Sequence, residues 1–368
     1  MKKLGFVLVA VMFLSFAATS GCGGDDNKDD KTTEDITPTE DISGEEDVAE
    51  TPEDNTGGDA SEFDILLTWL EGDNGDYINA SAPKVVGAAD VMAEGMDAWV
   101  ILDTRSQDKY GPDENGDWKK EPNGIADYED GHIAGATLVE WNAMHTYAAA
   151  NLSMDDKILV ACHTGHLAGH AVATLNLLGY DAYALKFGMS AWHTDFDVWS
   201  GKTASTYADQ FVSDATAKPE AGDYPTLDTG KATGEEILMA RMDAIFAESP
   251  RFIEIPDVMA APEDYFIVNY WPEAEYTEVG HIPGSYQYTP LASLHSSADL
   301  ATLPIDKTIV IYCYSGQHGS QVALWLTLLG YDARDLKFGT NGMIYDNMTK
   351  KQWSGADTGP AGYDYVTE

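Results

Sequence analysis

KILVACHTGHLAGHAVATLNLLGYDAYALKFGMSAW, from Lys157 to Trp192, is written nearly a second time as KTIVIYCYSGQHGSQVALWLTLLGYDARDLKFGTNGM, from Lys307 to Met343. In each copy an apolar, β-branched run ends on a cysteine, Cys162 or Cys313. A short polar loop holding a glycine follows, and an apolar helix pattern leads into LLGYDA and LKFG. This is the pattern of a strand, a loop and a helix with a thiol at the hinge. Cys313 lies 151 positions after Cys162, and Lys337 lies as far after Lys186, so the unit repeats without slippage. The chain reads as two copies of one thiol-bearing α/β domain.

Working outward, the helix-like run at 63–70 has its counterpart at 236–246, and the strand at 99–102 has its own at 265–268. Gly131-His132-Ile133-Ala134-Gly135-Ala136 is matched by Gly280-His281-Ile282-Pro283-Gly284-Ser285. Strands alternating with helices imply a parallel sheet flanked by helices in each domain. We expect a leader at 1–22, an acidic tether at 23–60, a first domain at 61–200, a link at 201–230 and a second domain at 231–368. The first copy carries a polar, Gly-rich insertion at about 107–123, which would sit at the carboxyl edge of its sheet as a lid with Trp118 as apolar contact. Asp113, Asn115 and Asp117 have calcium-loop spacing, but the twelfth place holds Gly124 rather than Glu, so no metal is expected.

The 368 residues are 44% hydrophobic with nine Trp, enough for two cores. A formal net charge of -41 repels nucleic acid and excludes it as a partner. Met1-Lys2-Lys3 followed by an apolar run of secretory length reads as a signal peptide. It ends in Thr19-Ser20-Gly21-Cys22, which resembles a lipobox and implies lipidation of Cys22. With Gly23 next, that resemblance places the chain on the periplasmic face of a bacterial outer membrane. The tether, rich in Asp, Glu, Thr, Pro and Gly, has little to bury and should stay disordered. With Cys22 set aside, Cys162 and Cys313 are one thiol per repeat, expected to be free.

A thiol reacts as its thiolate, and a tight loop opening a helix turns several N–H groups toward that charge. Cys162 and Cys313 occupy such loops and are the candidate nucleophiles. The two repeats resemble the rhodanese family of sulfurtransferases, over about 84–192 and 250–343. The resemblance rests on Asp103-Thr104-Arg105, on the two Gly-His-Ile segments, and on the six-residue loops Cys162-His163-Thr164-Gly165-His166-Leu167 and Cys313-Tyr314-Ser315-Gly316-Gln317-His318.

It implies that each cysteine takes sulfane sulfur from a small anion such as thiosulfate or polysulfide, holds it as persulfide, and yields it to a thiol or cyanide. The remaining loop residues would bind substrate, and no cofactor is implied. Asp103 and Arg105 would be structural, as would His132 and His281. Many rhodaneses carry Arg at the sixth loop place, where this chain has Leu167 and His318. His318, if protonated, would steer an anion; His163 and His166, if charged, would favour the Cys162 thiolate. The second copy has Asn269 and Trp271 in place of the Asp and Arg. A phosphatase-like rival would want Arg six places after the cysteine, where Ala168 and Gly319 stand. A sulfur carrier or interaction module without turnover is the other alternative.

Overall fold

The computed structural model describes residues 60–105, 109–112, 118–121, 127–354 and 359–367, with backbone alone at 109–112, 118–121 and 127. The leader, the tether with Cys22, the calcium-spaced residues and the side chain of Trp118 lie outside the described residues. No helix among the described residues is long and apolar enough to cross a membrane.

Twelve strands are present among the described residues. In the first repeat they are β1 (Val85–Val86), β2 (Val100–Asp103), β3 (Lys109–Pro112), β4 (Trp118–Glu121), β5 (Thr137–Leu138), β6 (Lys157–Ala161) and β7 (Asp181–Leu185). In the second they are β8 (Phe252–Ile253), β9 (Phe266–Asn269), β10 (Tyr286–Gln287), β11 (Ile309–Tyr312) and β12 (Ala333–Leu336). The first sheet runs β1-β7-β6-β2-β5 and the second β8-β12-β11-β9-β10, the same order. Every neighbouring pair in both sheets is parallel. The insertion forms an antiparallel hairpin, β3 with β4.

β6 and β11, each ending one residue before its cysteine, are central in their sheets, which is why they read as apolar runs: both faces are covered. Each runs directly into its loop and then into a helix, His166–Leu177 or Gln317–Leu328. Those two helices pack against each other at the junction of the domains. Gly169 makes the close approach possible, since a Cβ there would fall 1.9 Å from Ser320 Oγ.

The leading helix, Glu62–Glu71, starts at a capping box in which the Ser61 side chain accepts the Asp64 N–H. Phe63, Leu66, Leu67 and Leu70 make one buried stripe at helical spacing. The stripe does not close a first-domain core of its own. It packs on the counterpart helix Gly234–Phe246 and joins Leu238, Met242, Leu324 and Leu328 in a core that also holds Ala173 and Leu177.

The connections cross over in the same way. After the first domain the chain runs onto the second, where Val212 bridges His281; after the second it returns to the first, where Val366 bridges His132. Each domain is therefore fastened by a strap that follows the other. One core therefore crosses between the two repeats, while another, around Cys162, lies wholly within the first.

Candidate active site

Both cysteines sit at a strand end with their sulfurs inside the loop, buried to 2% and 3% exposure, and neither is in a disulfide. In the first loop the N–H groups of Gly165 and Ala168 donate to Cys162 Sγ at 3.0 and 3.3 Å. Gly165 has φ +90° and Gly316 +77°, a left-handed turn that glycine adopts freely and that folds the loop back over the sulfur. Burial pushes the Cys162 thiol up, while the N–H groups of Ala168, Thr164 and Gly165 pull it down. Burial raises Cys313 as well, then the Asp335 carboxyl, against the N–H groups of Gly319, Ser315 and His318.

The LKFG segments explain why they repeat. Gly188 and Gly339 lie under the cysteine loops, where a Cβ would come within 2.3 Å of the Cys162 carbonyl and 2.2 Å of the Cys313 carbonyl. The preceding Phe187 and Phe338 have φ +62° and +65°, a strained conformation for a side-chain-bearing residue.

What holds this strain is reciprocal. Gln317, fifth in the second loop, accepts the Phe187 N–H with Oε1 at 2.8 Å; His166, fifth in the first loop, accepts the Phe338 N–H with Nε2 at 2.9 Å. Each loop thus completes the backbone beneath the other. His166 Nε2 also lies 2.9 Å from the Ser315 carbonyl, and its Nδ1 lies 2.6 Å from Thr164 Oγ1.

Several sequence expectations change here. Burial, then the positive charge of Lys337, pushes His166 down to about 3, so it is a neutral interface residue and not a cation beside Cys162. Burial, then Lys351, pushes His318 down to about 3 as well. Its ring lies edge-on to Tyr270 at 4.7 Å and the residue is half-buried, its Nε2 covered and without a hydrogen-bond partner, so that it carries no charge near neutral pH to steer an anion. Leu167 packs into the cores, leaving the sixth loop place apolar or neutral in both domains.

The carbonyl of His163 accepts from the Ser190 hydroxyl at 2.9 Å. Tyr314 is buried, its hydroxyl donating to the Glu275 carboxylate and its ring lying under Lys351 at 4.5 Å. Ser315 Oγ accepts from Gln317 Nε2 at 3.1 Å, which orients the glutamine for its bond to the other domain.

Asp103 and Arg105 form a buried ion pair at 2.6 Å, and Arg105 Nη2 also donates to the Gly131 carbonyl at 2.6 Å. The pair ties the end of β2 to the Gly-His-Ile turn. In the second domain Asn269 Nδ2 donates to the Tyr312 hydroxyl at 2.7 Å, a neutral substitute inside the same scaffold. His132 stacks on Tyr128 and its Nδ1 meets the Tyr128 carbonyl at 2.9 Å; His281 stacks on Tyr276 and meets that carbonyl at 2.8 Å. Among the described residues no cluster of three or more His, Cys, Asp or Glu side chains has the arrangement of a metal site.

Three histidines pushed down to about 3, His166, His170 and His318, fix a pH dependence. Unfolded, each titrates near 6.5; folded, it stays neutral until far lower pH. The unfolded chain therefore binds more protons between those values, and stability falls as pH drops through that window. Each histidine adds up to one proton to that difference, so the three act in the same direction. Asp335, whose carboxyl burial raises, opposes this by one proton. Thermal melting at descending pH should show the midpoint falling steeply below neutrality, and a flat profile would contradict the buried neutral state.

The geometry can be set beside known proteins. The Rhodanese-like domain model matches twice, at residues 88–195 and 257–344. No curated protein matches the chain. Among solved structures, a rhodanese-related protein from Thermoplasma volcanium is 24% identical, with 30% of this chain and 89% of that one covered and a TM-score of 0.23. A thiosulfate sulfurtransferase from Pseudomonas aeruginosa is 16% identical, with 70% and 42% covered and a TM-score of 0.23. A 3-mercaptopyruvate sulfurtransferase from Leishmania major is 14% identical, with 72% and 74% covered and a TM-score of 0.27. Scores of this size add no weight of their own. The two domain matches span more than half of the sequence, fall on the two repeated parallel sheets, and enclose both cysteine loops: the chain belongs to the rhodanese-like family.

Proposed function

We propose that this protein is a sulfurtransferase in which Cys162 and Cys313 carry sulfane sulfur as persulfides. The observation that supports this most is the cradle at Cys162, where two backbone N–H groups point at one sulfur at 3.0 and 3.3 Å. In the first step the thiolate attacks the outer sulfur of thiosulfate or polysulfide. A new S–S bond forms, and sulfite or the shortened polysulfide leaves with the electron pair of the broken one. The negative persulfide then rests on the N–H groups that held the thiolate. In the second step a thiolate or cyanide attacks the outer sulfur, and the cysteine thiolate is restored.

With a leucine and a neutral histidine at the sixth loop places, donor recognition falls on the backbone N–H groups. The test is formation of thiocyanate from cyanide with thiosulfate and with polysulfide, using a soluble chain that begins at Ser61. Turnover with either donor is expected. The rival, a sulfur carrier or docking module, predicts persulfide formation or partner binding with no turnover.

We further propose lipid anchoring at Cys22 on the periplasmic face of a bacterial outer membrane, on the strength of the leader and Thr19-Ser20-Gly21-Cys22. The expected result is recovery with outer membranes, lost in Cys22→Ser. Unchanged recovery in that variant rejects it.

A further inference from the structure

The repeats differ by a paired exchange beside the thiol. Where the first has Ala168 and Ala184, the second has Gly319 and Asp335, each 151 positions on. Ala168 and Ala184 are fully buried in one apolar cluster with Cys162. Asp335 stands on β12 opposite Ile311 of β11, two residues before Cys313, and is also fully buried. Its carboxyl fills the space a methyl at 319 would need, because a Cβ there would fall 2.3 Å from Oδ1. Neither carboxyl oxygen has a hydrogen-bond partner.

Both halves of the exchange work against stability. Glycine is less favourable in a helix than alanine, and an enclosed polar group without a partner costs more still. The first domain shows that the same fold accepts two alanines here. The exchange is made at the residue whose N–H faces the Cys313 sulfur, as that of Ala168 faces Cys162.

We propose that Asp335 is a positioning residue that keeps the Cys313 thiol protonated and so makes Cys162 the more reactive of the two sulfurs. The thiol and the carboxyl are two acids in one enclosed space, where a second negative charge is strongly disfavoured. A carboxyl is ordinarily the stronger acid, and a charge on Asp335 raises the Cys313 thiol.

The surrounding groups relieve this only in part. Lys337, one residue past the end of the strand, draws the Asp335 carboxyl down, but its ammonium pairs with Glu254 at 2.6 Å. Arg251, before β8, gives its carbonyl to the Asp335 N–H at 2.9 Å, while its guanidinium pairs with Glu248 and Asp332. His166 and His170, on the first-domain helix, are held neutral by burial, and His318 in the Cys313 loop likewise. The carboxyl itself is pushed well above the usual carboxylate range by burial, which shows how poorly the site bears charge.

The inference rests on the sulfur-transfer reading only in treating Cys313 as a working thiol. Its test needs no turnover, so either can fail alone. The full chain is alkylated with iodoacetamide over a pH series, and the two cysteine peptides are quantified by mass spectrometry, with Cys162 as internal reference. Cys313 should lag Cys162. Asp335→Asn should move the Cys313 midpoint down by about one pH unit and raise its rate roughly tenfold at neutral pH, leaving Cys162 unchanged.

Gly319→Ala with Asp335→Ala, which rebuilds the first domain's arrangement, should melt no lower than the parent and show the same shift. A Cys313 profile that stays in place in a folded variant overturns the proposal. A slower Cys313 in Asp335→Asn also overturns it, because the carboxylate would then be assisting ionisation as a base.

Discussion

Replacing both Cys162 and Cys313 by serine will lower cyanide-dependent thiocyanate formation by at least about 10³-fold, to the rate of the reaction in buffer. A serine hydroxyl is a far weaker nucleophile toward sulfur, and no neighbouring group is placed to replace the thiolate. The two N–H groups that point at Cys162 Sγ would remain, but with no anionic sulfur to hold. The single variants divide the activity. Cys162→Ser should remove most of it and Cys313→Ser a smaller part, since the Asp335 carboxyl bears on the second sulfur and an alanine occupies its place in the first domain. Initial rates of the four proteins under one donor make the comparison, and a double variant with full activity would refute the mechanism.

Arg105→Ala will destabilise the chain by about 3–5 kcal/mol, because it leaves the Asp103 carboxylate buried without its cation. The loss extends beyond the pair. Arg105 Nε and Nη2 satisfy both Asp103 oxygens, and Nη2 also holds the Gly131 carbonyl. The second domain supplies the contrast. Asn269→Ala removes a neutral hydrogen bond to the Tyr312 hydroxyl, for which about 1–3 kcal/mol is expected. Because one core and the straps run through both domains, each variant should unfold in one transition, with the Arg105 midpoint displaced further. Denaturant titration followed by fluorescence reads this directly. Two separated transitions, one at the parent's midpoint, would contradict the shared core.

Much of this architecture was legible in the repeat. Ile158–Ala161 and Ile309–Tyr312 read as fully buried strands because no polar residue interrupts them, and both lie at the centre of a sheet. The glycine three places after each cysteine marked the turn that brings N–H groups onto the sulfur.

What the sequence concealed is what one copy does for the other. A polar residue at the fifth loop place looks like a solvent-facing ligand. Only packing of the His166–Leu177 and Gln317–Leu328 helices reveals that His166 and Gln317 bond to backbone N–H groups across the junction. Burial strips the charge from His166 and His318, which linear spacing leaves free to be cations. The stripe Phe63, Leu66, Leu67, Leu70 announced a helix but not its partner, because apolar burial has no address. The repeated LKFG carries a further signal, because its glycine lies against each cysteine carbonyl.

The most direct test of the account is mass spectrometry of the two cysteine peptides after the folded protein has met thiosulfate or polysulfide. The peptide holding Cys162 should gain the mass of one sulfur atom and lose it again on addition of cyanide, with the Cys313 peptide following more slowly. If neither peptide gains that mass with either donor while the protein remains folded, the cysteines carry no persulfide and the sulfur-transfer account is wrong.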